Sequence, residues 1–149
     1  MEKLIVVRHG HYARDDKLSD RGRAEMAALA EKLKLHLDGL AVVILTSTAD
    51  LARQSAEILG DFFVVDVEAH EVLWSEEIHP EDFAGALKLV KSFEHMADVL
   101  VLVTHYEYVE RFPAYFAREE WKVSRESHLI GNGHAWVLDC SEKTLVLVD

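Results

Sequence analysis

Two histidines follow apolar segments that have the pattern of buried strands. Arg8 and His9 come directly after residues 4–7, and His105 follows the segment 98–103. Imidazole changes its charge near neutral pH and can serve as nucleophile, acid or base, and a guanidinium holds oxyanions through several donors. Ligands of parallel α/β sheets collect beyond the carboxyl ends of the strands. If both strands are central, the two imidazoles meet at one sheet edge and form a site.

Apolar runs alternate with helical patterns along the whole chain. Strands are predicted as short apolar runs at residues 4–7, 41–45, 62–67, 98–103, 134–139 and 144–148. Helices are predicted at residues 19–36, 49–59, 80–93 and 106–118, with Ser19 as an N-cap, Gly60 ending the second helix and Pro80 in the first turn of the third. Apolar strands separated by helices predict one domain, residues 1–149. Its expected architecture is a three-layer α/β/α sandwich whose mostly parallel sheet carries an antiparallel C-terminal edge hairpin.

Composition and charge narrow the classes of partner. The 149 residues include 27 acidic and 16 basic side chains, for a formal net charge of −11. Such a surface repels nucleic acid and anionic lipid, so neither is expected as a partner. No segment approaches the ~20 apolar residues needed to span a bilayer, no signal segment is recognised, and a cytoplasmic location is predicted. The single cysteine, Cys140, excludes an internal disulfide and is expected to pack in an apolar segment.

Metal and nucleotide sites are not predicted. The nine histidines show no spacing with cysteine or carboxylate partners that is typical of a metal site. A glycine-rich loop of the nucleotide-binding kinds is also absent from the sequence. We therefore expect neither a metal nor a cofactor.

Several segments together resemble the motifs of the histidine phosphatase superfamily, the phosphoglycerate-mutase-like proteins. Arg8-His9-Gly10 after an N-terminal strand is similar to the signature of that superfamily. Residues 18–24 (LSDRGRA) resemble its Leu-Thr-x-x-Gly-x-x-Gln-Ala helix start, and residues 46–56 (TSTADLARQSA) resemble its Ser-Ser-Pro-x-x-Arg-Ala-x-Gln-Thr-Ala segment. His105 after a later strand and Asn132-Gly133 before the closing strands complete the order. The short chain is most similar to the compact phosphohistidine-phosphatase branch.

The resemblance implies a metal-independent phosphatase in which His9 is the nucleophile and is transiently phosphorylated. Two-step transfer lowers each barrier, and Arg8 and His105 would surround the charge that develops on the phosphoryl oxygens. The expected substrate is a phosphorylated small molecule or a phosphoprotein. The sequence does not indicate which of these it is, nor the oligomeric state. The residues expected to bind substrate are Gly10, Arg14, Arg21 and Thr104.

One arginine of the family pattern is missing. With the register anchored by the segment 54–56, the second arginine of the family corresponds to Leu51. Arg53 lies two places on, which rotates its side chain by about 200° around a helix. Loss of one preorganised donor typically costs on the order of 10²–10³ in rate. Arg14, Arg21 or Arg53 would have to supply the missing cation, and Arg14, in the loop after the motif, is the best placed.

The general acid and the function itself have alternatives. Glu76 is the predicted acid, with Glu77 as the alternative. The compact branch can also lack a protein acid, because a phosphoramidate leaving group needs less help. Glu107 and Glu110 are expected on a solvated helix face. Besides the phosphatase, the chain could be a phosphate- or anion-binding module without useful catalysis, which Leu51 favours, or an interaction protein that uses only the fold.

Overall fold

The structure is a computed structural model that describes residues 1–75 and 81–149. In this part of the chain one sheet has the strand order β3-β2-β4-β1-β5-β6. Strands β1 to β4 are mutually parallel, whereas β5 is antiparallel to both β1 and β6. The mostly parallel sheet with an antiparallel C-terminal hairpin is therefore confirmed. The strands are β1 (Lys3–Arg8), β2 (Val42–Thr46), β3 (Val67–Ala69), β4 (Val99–Thr104), β5 (Ala135–Asp139) and β6 (Thr144–Val148).

Helices cover both faces of the sheet. Residues of β1 alternate between two cores: Leu4 and Val6 pack with residues of α3 and α4, and Ile5 and Val7 pack with residues of α1 and α2. Both faces of β1 and β4 are buried under helices, and for this reason the sequence of each strand is continuously hydrophobic. The helices are α1 (Asp20–Leu37), α2 (Asp50–Phe63), α3 (Phe83–Ser92) and α4 (Tyr106–Phe116), with a 3-10 turn at Glu71–Leu73 and a π-helical turn at Ala117–Trp121. No helix in the described ranges is long and apolar enough to cross a membrane.

The predicted end of α2 and the predicted start of β3 were wrong. Gly60 does not end the helix, which continues to Phe63 and closes at Val64, a left-handed residue with φ 58°. A Cβ at Gly60 would lie 2.8 Å from the Val65 carbonyl oxygen, so glycine is needed there for close packing. Phe62, predicted as the first residue of the third strand, is helical, and β3 begins only at Val67.

The third helix also begins later than predicted. Asp82 caps α3 by accepting a hydrogen bond from the Gly85 N–H, and the helix starts at Phe83 rather than at Pro80, which lies outside the described residues. The N-cap predicted for α1 is confirmed, because the Ser19 side chain accepts from the Gly22 N–H. Asp82 has the same capping chemistry, but Pro80 gave the stronger signal in the sequence.

Candidate active site

The two strand ends that carry histidines are neighbours. β1 and β4 pair in parallel at the centre of the sheet, with Arg8 opposite Thr104 in the register. The imidazole rings of His9 and His105 consequently meet edge to face, with their centroids 5.3 Å apart. The two residues are 6% and 3% exposed. The expectation that the imidazoles converge at one edge is confirmed by this arrangement.

A hydrogen bond to a backbone carbonyl fixes the tautomer of His9. Its Nδ1 lies 2.9 Å from the Gly10 carbonyl oxygen. A carbonyl oxygen can only accept, so Nδ1 carries the proton and donates it. In the neutral ring, Nε2 then carries the lone pair, which is the form a nucleophilic imidazole requires. Tyr12 packs edge-on against the same ring, with the centroids 5.7 Å apart.

The loop after His9 is held by α1 and α2. The Gly10 N–H donates to Ser55 Oγ over 3.0 Å, and the Leu18 N–H donates to Gln54 Oε1 over 2.9 Å. A Cβ at Gly10 would lie 2.6 Å from the Gly22 carbonyl oxygen, so these two backbones touch. Substrate binding by Gly10 stays a prediction, and the close packing of Gly10 against Gly22 shows why a larger residue does not fit there. The Gln-Ser pair of the α2 motif thus orients the loop that carries His9.

Burial keeps His105 neutral. Desolvation, and secondly the neighbouring His9, lower the pKa of His105 to about 3. Its Nε2 lies 2.8 Å from Ser47 Oγ, a fully buried hydroxyl just beyond the end of β2. Trp74 stacks on the ring, with 6.3 Å between centroids and 17° between planes. The ring is therefore fixed on two sides, and its orientation is decided before any ligand arrives.

Arg8 presents a buried donor to the site region. Its Nη1 donates to the Ile130 carbonyl over 2.7 Å, whereas its buried Nε has no hydrogen-bond partner among the described residues. Burial lowers the pKa of Arg8, and Tyr12, Glu107 and Glu25 oppose that shift. An unsatisfied buried N–H costs free energy unless a ligand accepts from it. This donor fits an anion that binds between the strand ends.

The position of the missing arginine is apolar and enclosed. Leu51, in the first turn of α2, is 7% exposed. Arg53 is exposed, as its rotation around the helix predicted. Arg14 is exposed in the loop between β1 and α1, and Arg21 is 73% exposed and lies 3.8 Å from Glu25. All three guanidinium groups are thus exposed to solvent.

Hydrogen bonds of Thr104 and Ser75 join the segment 73–75 to the end of β4 and to the start of α4, next to His105. The Thr104 hydroxyl is fully buried and donates to the Leu73 carbonyl, so it ties the 3-10 turn to the end of β4. Ser75 Oγ donates to Glu107 Oε2 over 2.7 Å. The predicted acids Glu76 and Glu77 lie outside the described residues.

Two residues of the site region were missed or misread in the sequence. Glu107 is half-buried rather than solvated, because it accepts from Ser75 and lies close enough to Arg8 to act on its charge. In the sequence, Ser47 is recognised only as a member of the segment 46–56, without a predicted role at the site. Its place just after β2 was a usable signal, since β2 ends at the same sheet edge as β1 and β4.

Neither metal binding nor thiol chemistry is indicated in the described ranges. Among residues 1–75 and 81–149, no group of three or more histidine, cysteine or acidic side chains could hold a metal ion. Burial raises the pKa of Cys140 to about 11, which makes the thiol unreactive at neutral pH. Its packing in an apolar segment agrees with the expectation from the sequence.

Comparison with known proteins finds the same fold in phosphatases. No protein-family model matches the sequence, and no curated protein matches it significantly. Among solved structures, a SixA-type protein of Nakamurella multipartitia is 19% identical, with a TM-score of 0.73 and coverage of 99% of this chain and 94% of that one. The protein histidine phosphatase SixA in complex with tungstate is 18% identical, with a TM-score of 0.72 and coverage of 97% and 94%.

A third similar structure comes from a small-molecule phosphatase. The mycobacterial glucosyl-3-phosphoglycerate phosphatase with VO3 is 17% identical, with a TM-score of 0.69 and coverage of 99% of this chain and 97% of that one. The three similarities thus extend over nearly the whole length of this chain and of each compared structure. The chain has the fold of the histidine phosphatases, with two histidines and one arginine at the carboxyl ends of its central strands.

Proposed function

We propose that this protein is a metal-independent phosphatase that works through a phosphohistidine formed on His9. The observation that carries the proposal is the tautomer of His9. Its Nδ1 proton is committed to the Gly10 carbonyl, so the lone pair is on Nε2, beside a neutral His105. The unpartnered Arg8 Nε adds a donor for the phosphoryl oxygens. The fold shared with SixA and with a sugar-phosphate phosphatase supports the same reaction class.

The reaction has two transfers. In the first, His9 Nε2 attacks phosphorus, the bond to the leaving group breaks, and the leaving group takes a proton from water or, in an ester, from Glu76. In the second, water attacks phosphorus and gives up a proton to solvent, the P–N bond breaks, inorganic phosphate is released, and the electron pair returns to Nε2. Arg8 donates to the phosphoryl oxygens in both steps. Arg14, Arg21 and Gly10 stay proposed contacts for the rest of the substrate.

His105 and Thr104 have different parts in this proposal. Since Ser47 occupies Nε2 of His105, its Nδ1 is the nitrogen through which the ring would contact a phosphoryl oxygen. An arriving phosphoryl dianion favours the protonated ring and so raises the pKa of His105 from its low value in the empty site. Thr104, with its hydroxyl given to Leu73, acts as a positioning residue.

A phosphohistidine-bearing protein is the substrate class we favour. Arg8 supplies a partly buried guanidinium, and Leu51, at the position of the second arginine, supplies no further donor. A phosphoramidate has a labile P–N bond, so it requires less stabilisation of the leaving group than a phosphate ester does. Glu76 is the proposed acid for ester substrates, which need a proton on the leaving oxygen.

The second candidate function is an anion-binding module without turnover. Leu51 favours it, since loss of one preorganised donor typically costs on the order of 10²–10³ in rate. Such a module would still bind phosphate-like oxyanions at Arg8 and His105. Tungstate is a suitable probe because a neighbour of the same fold was solved in complex with it.

The deciding experiment measures turnover and covalent labelling without metal. The native protein, His9→Gln and the control His95→Gln, at a histidine that is 92% exposed, are each given a phosphohistidine-bearing protein and an aryl phosphate. We expect turnover and an acid-labile, alkali-stable label in the native protein and in the control. His9→Gln should lose both, by a factor of at least about 10³.

Two outcomes contradict the phosphatase. Unchanged turnover in His9→Gln excludes the phosphohistidine mechanism. Tungstate binding measured by calorimetry, with no turnover of either substrate by the native protein, favours the anion-binding module.

A further inference from the structure

A basic groove lies on the outer side of α4. It runs between the second half of that helix, with the π-helical turn, and the segment 122–127, and it has a volume of about 870 Å³. We call it the α4 groove. Its basic lining residues are Arg111, Arg118, Lys122 and Arg125, and its apolar lining includes Phe83, Tyr115 and Val123.

The charge of the α4 groove is opposite to that of the chain. Acidic side chains outnumber basic ones by 27 to 16 in the whole sequence. Among the described residues that line the groove, four are basic and one, Glu110, is acidic. Since the surrounding surface is acidic, an anionic partner is attracted to the groove and repelled elsewhere.

Part of the positive charge of the groove has no acidic partner among the described residues. Within the described ranges, no ion pair includes Lys122 or Arg125. Arg125 donates instead to the backbone carbonyls of Ser124 and Lys143, which orient the guanidinium without neutralising it. Arg118 lies over the Tyr115 ring, 5.5 Å from its centroid. Two of the four cations are paired with acidic side chains, Arg111 with Glu81 and Arg118 with Glu119 over 3.4 Å.

A serine joins the two walls of the groove. Ser127 Oγ accepts from the Ala114 N–H over 3.2 Å and donates to the Glu110 carbonyl over 2.7 Å. A regular α-helix pairs these two backbone groups directly. Pro113 lies beside them inside α4 and has no N–H to give to the helix. The inserted hydroxyl therefore anchors the segment 122–127 to the helix.

Both walls lead from the groove to the candidate active site. α4 begins immediately after His105, so Arg111 lies about 9 Å and Arg118 about 20 Å from that residue along the helix axis. The other wall continues to Ile130, whose carbonyl accepts from Arg8. A chain segment that extends from a phosphorylated residue at His9 would reach the groove within about three to six extended residues.

We propose that the α4 groove docks an acidic segment of the phosphoprotein substrate, which rests on the function proposed above. Carboxylates of the segment pair with Lys122, Arg125 and Arg118, and its apolar side chains pack on Phe83 and Tyr115. Nucleic acid and anionic membranes are poorer occupants. They need an extended basic surface, whereas here the basic residues line a concave site on an acidic protein.

The first test measures binding without any chemistry. A fluorescein-labelled peptide of alternating glutamate and leucine is titrated with the protein, and its anisotropy is recorded at low and at moderate salt. The variant Lys122→Glu/Arg125→Glu should bind at least about tenfold more weakly. The control Lys34→Glu/Lys88→Glu makes the same charge change at exposed lysines away from the groove and should change affinity by less than about twofold.

The second test measures turnover with the same variants. With a phosphohistidine-bearing protein whose phosphosite is followed by an acidic segment, the groove variant should raise KM about tenfold and leave kcat unchanged. Turnover of an aryl phosphate, which is too small to reach the groove, should be the same in all variants. Added salt should weaken the peptide interaction more than the aryl phosphate reaction.

Several results overturn the docking proposal. These are absence of peptide binding by the native protein, equal loss in the control variant, and tighter groove-dependent binding of a single-stranded oligonucleotide or of anionic vesicles. Groove-dependent peptide binding without turnover of any substrate overturns the proposed phosphatase and leaves an acidic-peptide site. The two proposals can therefore fail separately.

Discussion

The candidate active site and the α4 groove handle negative charge in different ways. The site uses two imidazoles that are 6% and 3% exposed and an arginine with a buried, unpartnered Nε. The groove uses exposed guanidinium and ammonium groups, of which Arg118 is 69% exposed. A buried donor acts in a low dielectric, where each hydrogen bond is strong and direction matters. Exposed charges act weakly, at longer range and subject to salt.

Because of this difference, the side chains of the site need more contacts to fix their orientation than those of the groove do. His9, His105 and Arg8 are each fixed by a backbone carbonyl or by a hydroxyl from another element. In the groove, the Ser127 bridge joins the two walls and backbone carbonyls orient Arg125. We therefore expect substitutions of similar chemistry to have large effects in the site and small effects in the groove.

The largest contrast is expected between Arg8→Lys and Arg118→Lys. Lysine keeps the charge but loses the planar fork, so at position 8 the Nη1 bond to Ile130 and the Nε donor cannot both be replaced. Turnover should fall about 10²–10³-fold, whereas Arg118→Lys should change it by less than about twofold. Steady-state kinetics with a phosphohistidine-bearing protein measures both. Equal effects at the two positions would contradict the distinction.

A pH dependence of stability is expected from His105. Unfolded His105 takes up a proton near pH 6.5, whereas the folded residue does so near pH 3. Between these values the unfolded state binds more protons, so the free energy of unfolding falls as pH falls, by up to about 1.4 kcal/mol per pH unit. His105→Gln should remove this contribution, which denaturant unfolding at several pH values measures. The control His95→Gln should keep the native slope, and an unchanged slope in His105→Gln would show that its burial does not matter.

Restoring the missing arginine should strengthen the site moderately. Leu51→Arg places a guanidinium in the first turn of α2, and we expect turnover to rise about tenfold, less than a fully preorganised donor supplies. The control Leu51→Gln removes the apolar side chain without adding charge and should not raise turnover. If Leu51→Arg leaves both kcat/KM and tungstate affinity at native values, another cation already fills that place, with Arg14 as the first candidate.

The smallest expected effect comes from the bridge in the groove. Ser127→Ala leaves the Ala114 N–H and the Glu110 carbonyl without the inserted hydroxyl, and should lower the free energy of unfolding by about 1 kcal/mol. Peptide binding should weaken by a small factor because the walls are less firmly joined. Ser124→Ala, at an exposed serine of the same wall, is the control for both measurements. Native stability in Ser127→Ala would mean that the helix closes its own hydrogen bond.

Local pattern was sufficient for much of the fold and failed where packing overrides it. The apolar runs of β1 and β4, the Ser19 cap and the C-terminal hairpin follow from residue type and spacing. Gly60 has the pattern of a helix end in sequence, yet it lies inside α2, where the close approach of the Val65 carbonyl leaves no room for a side chain. A glycine can end a helix or allow another segment to pack closely against the helix. Which of these Gly60 does depends on the position of Val65, which sequence spacing does not reveal.

The sequence by itself determined that two histidines lie at the ends of apolar strands. It also determined that the segment 46–56, which resembles a family motif, has Leu51 where that motif has its arginine. Only the tertiary structure decided that β1 and β4 are neighbours and that Ser47 and Glu107 join the site. It also decided that Arg111 of α4 and Arg118 of the π-helical turn line one groove with the segment 122–127. Strand polarity and helix period are local properties of the chain. Strand order, burial and the pKa of His105 arise from contacts between distant segments, which local pattern does not encode.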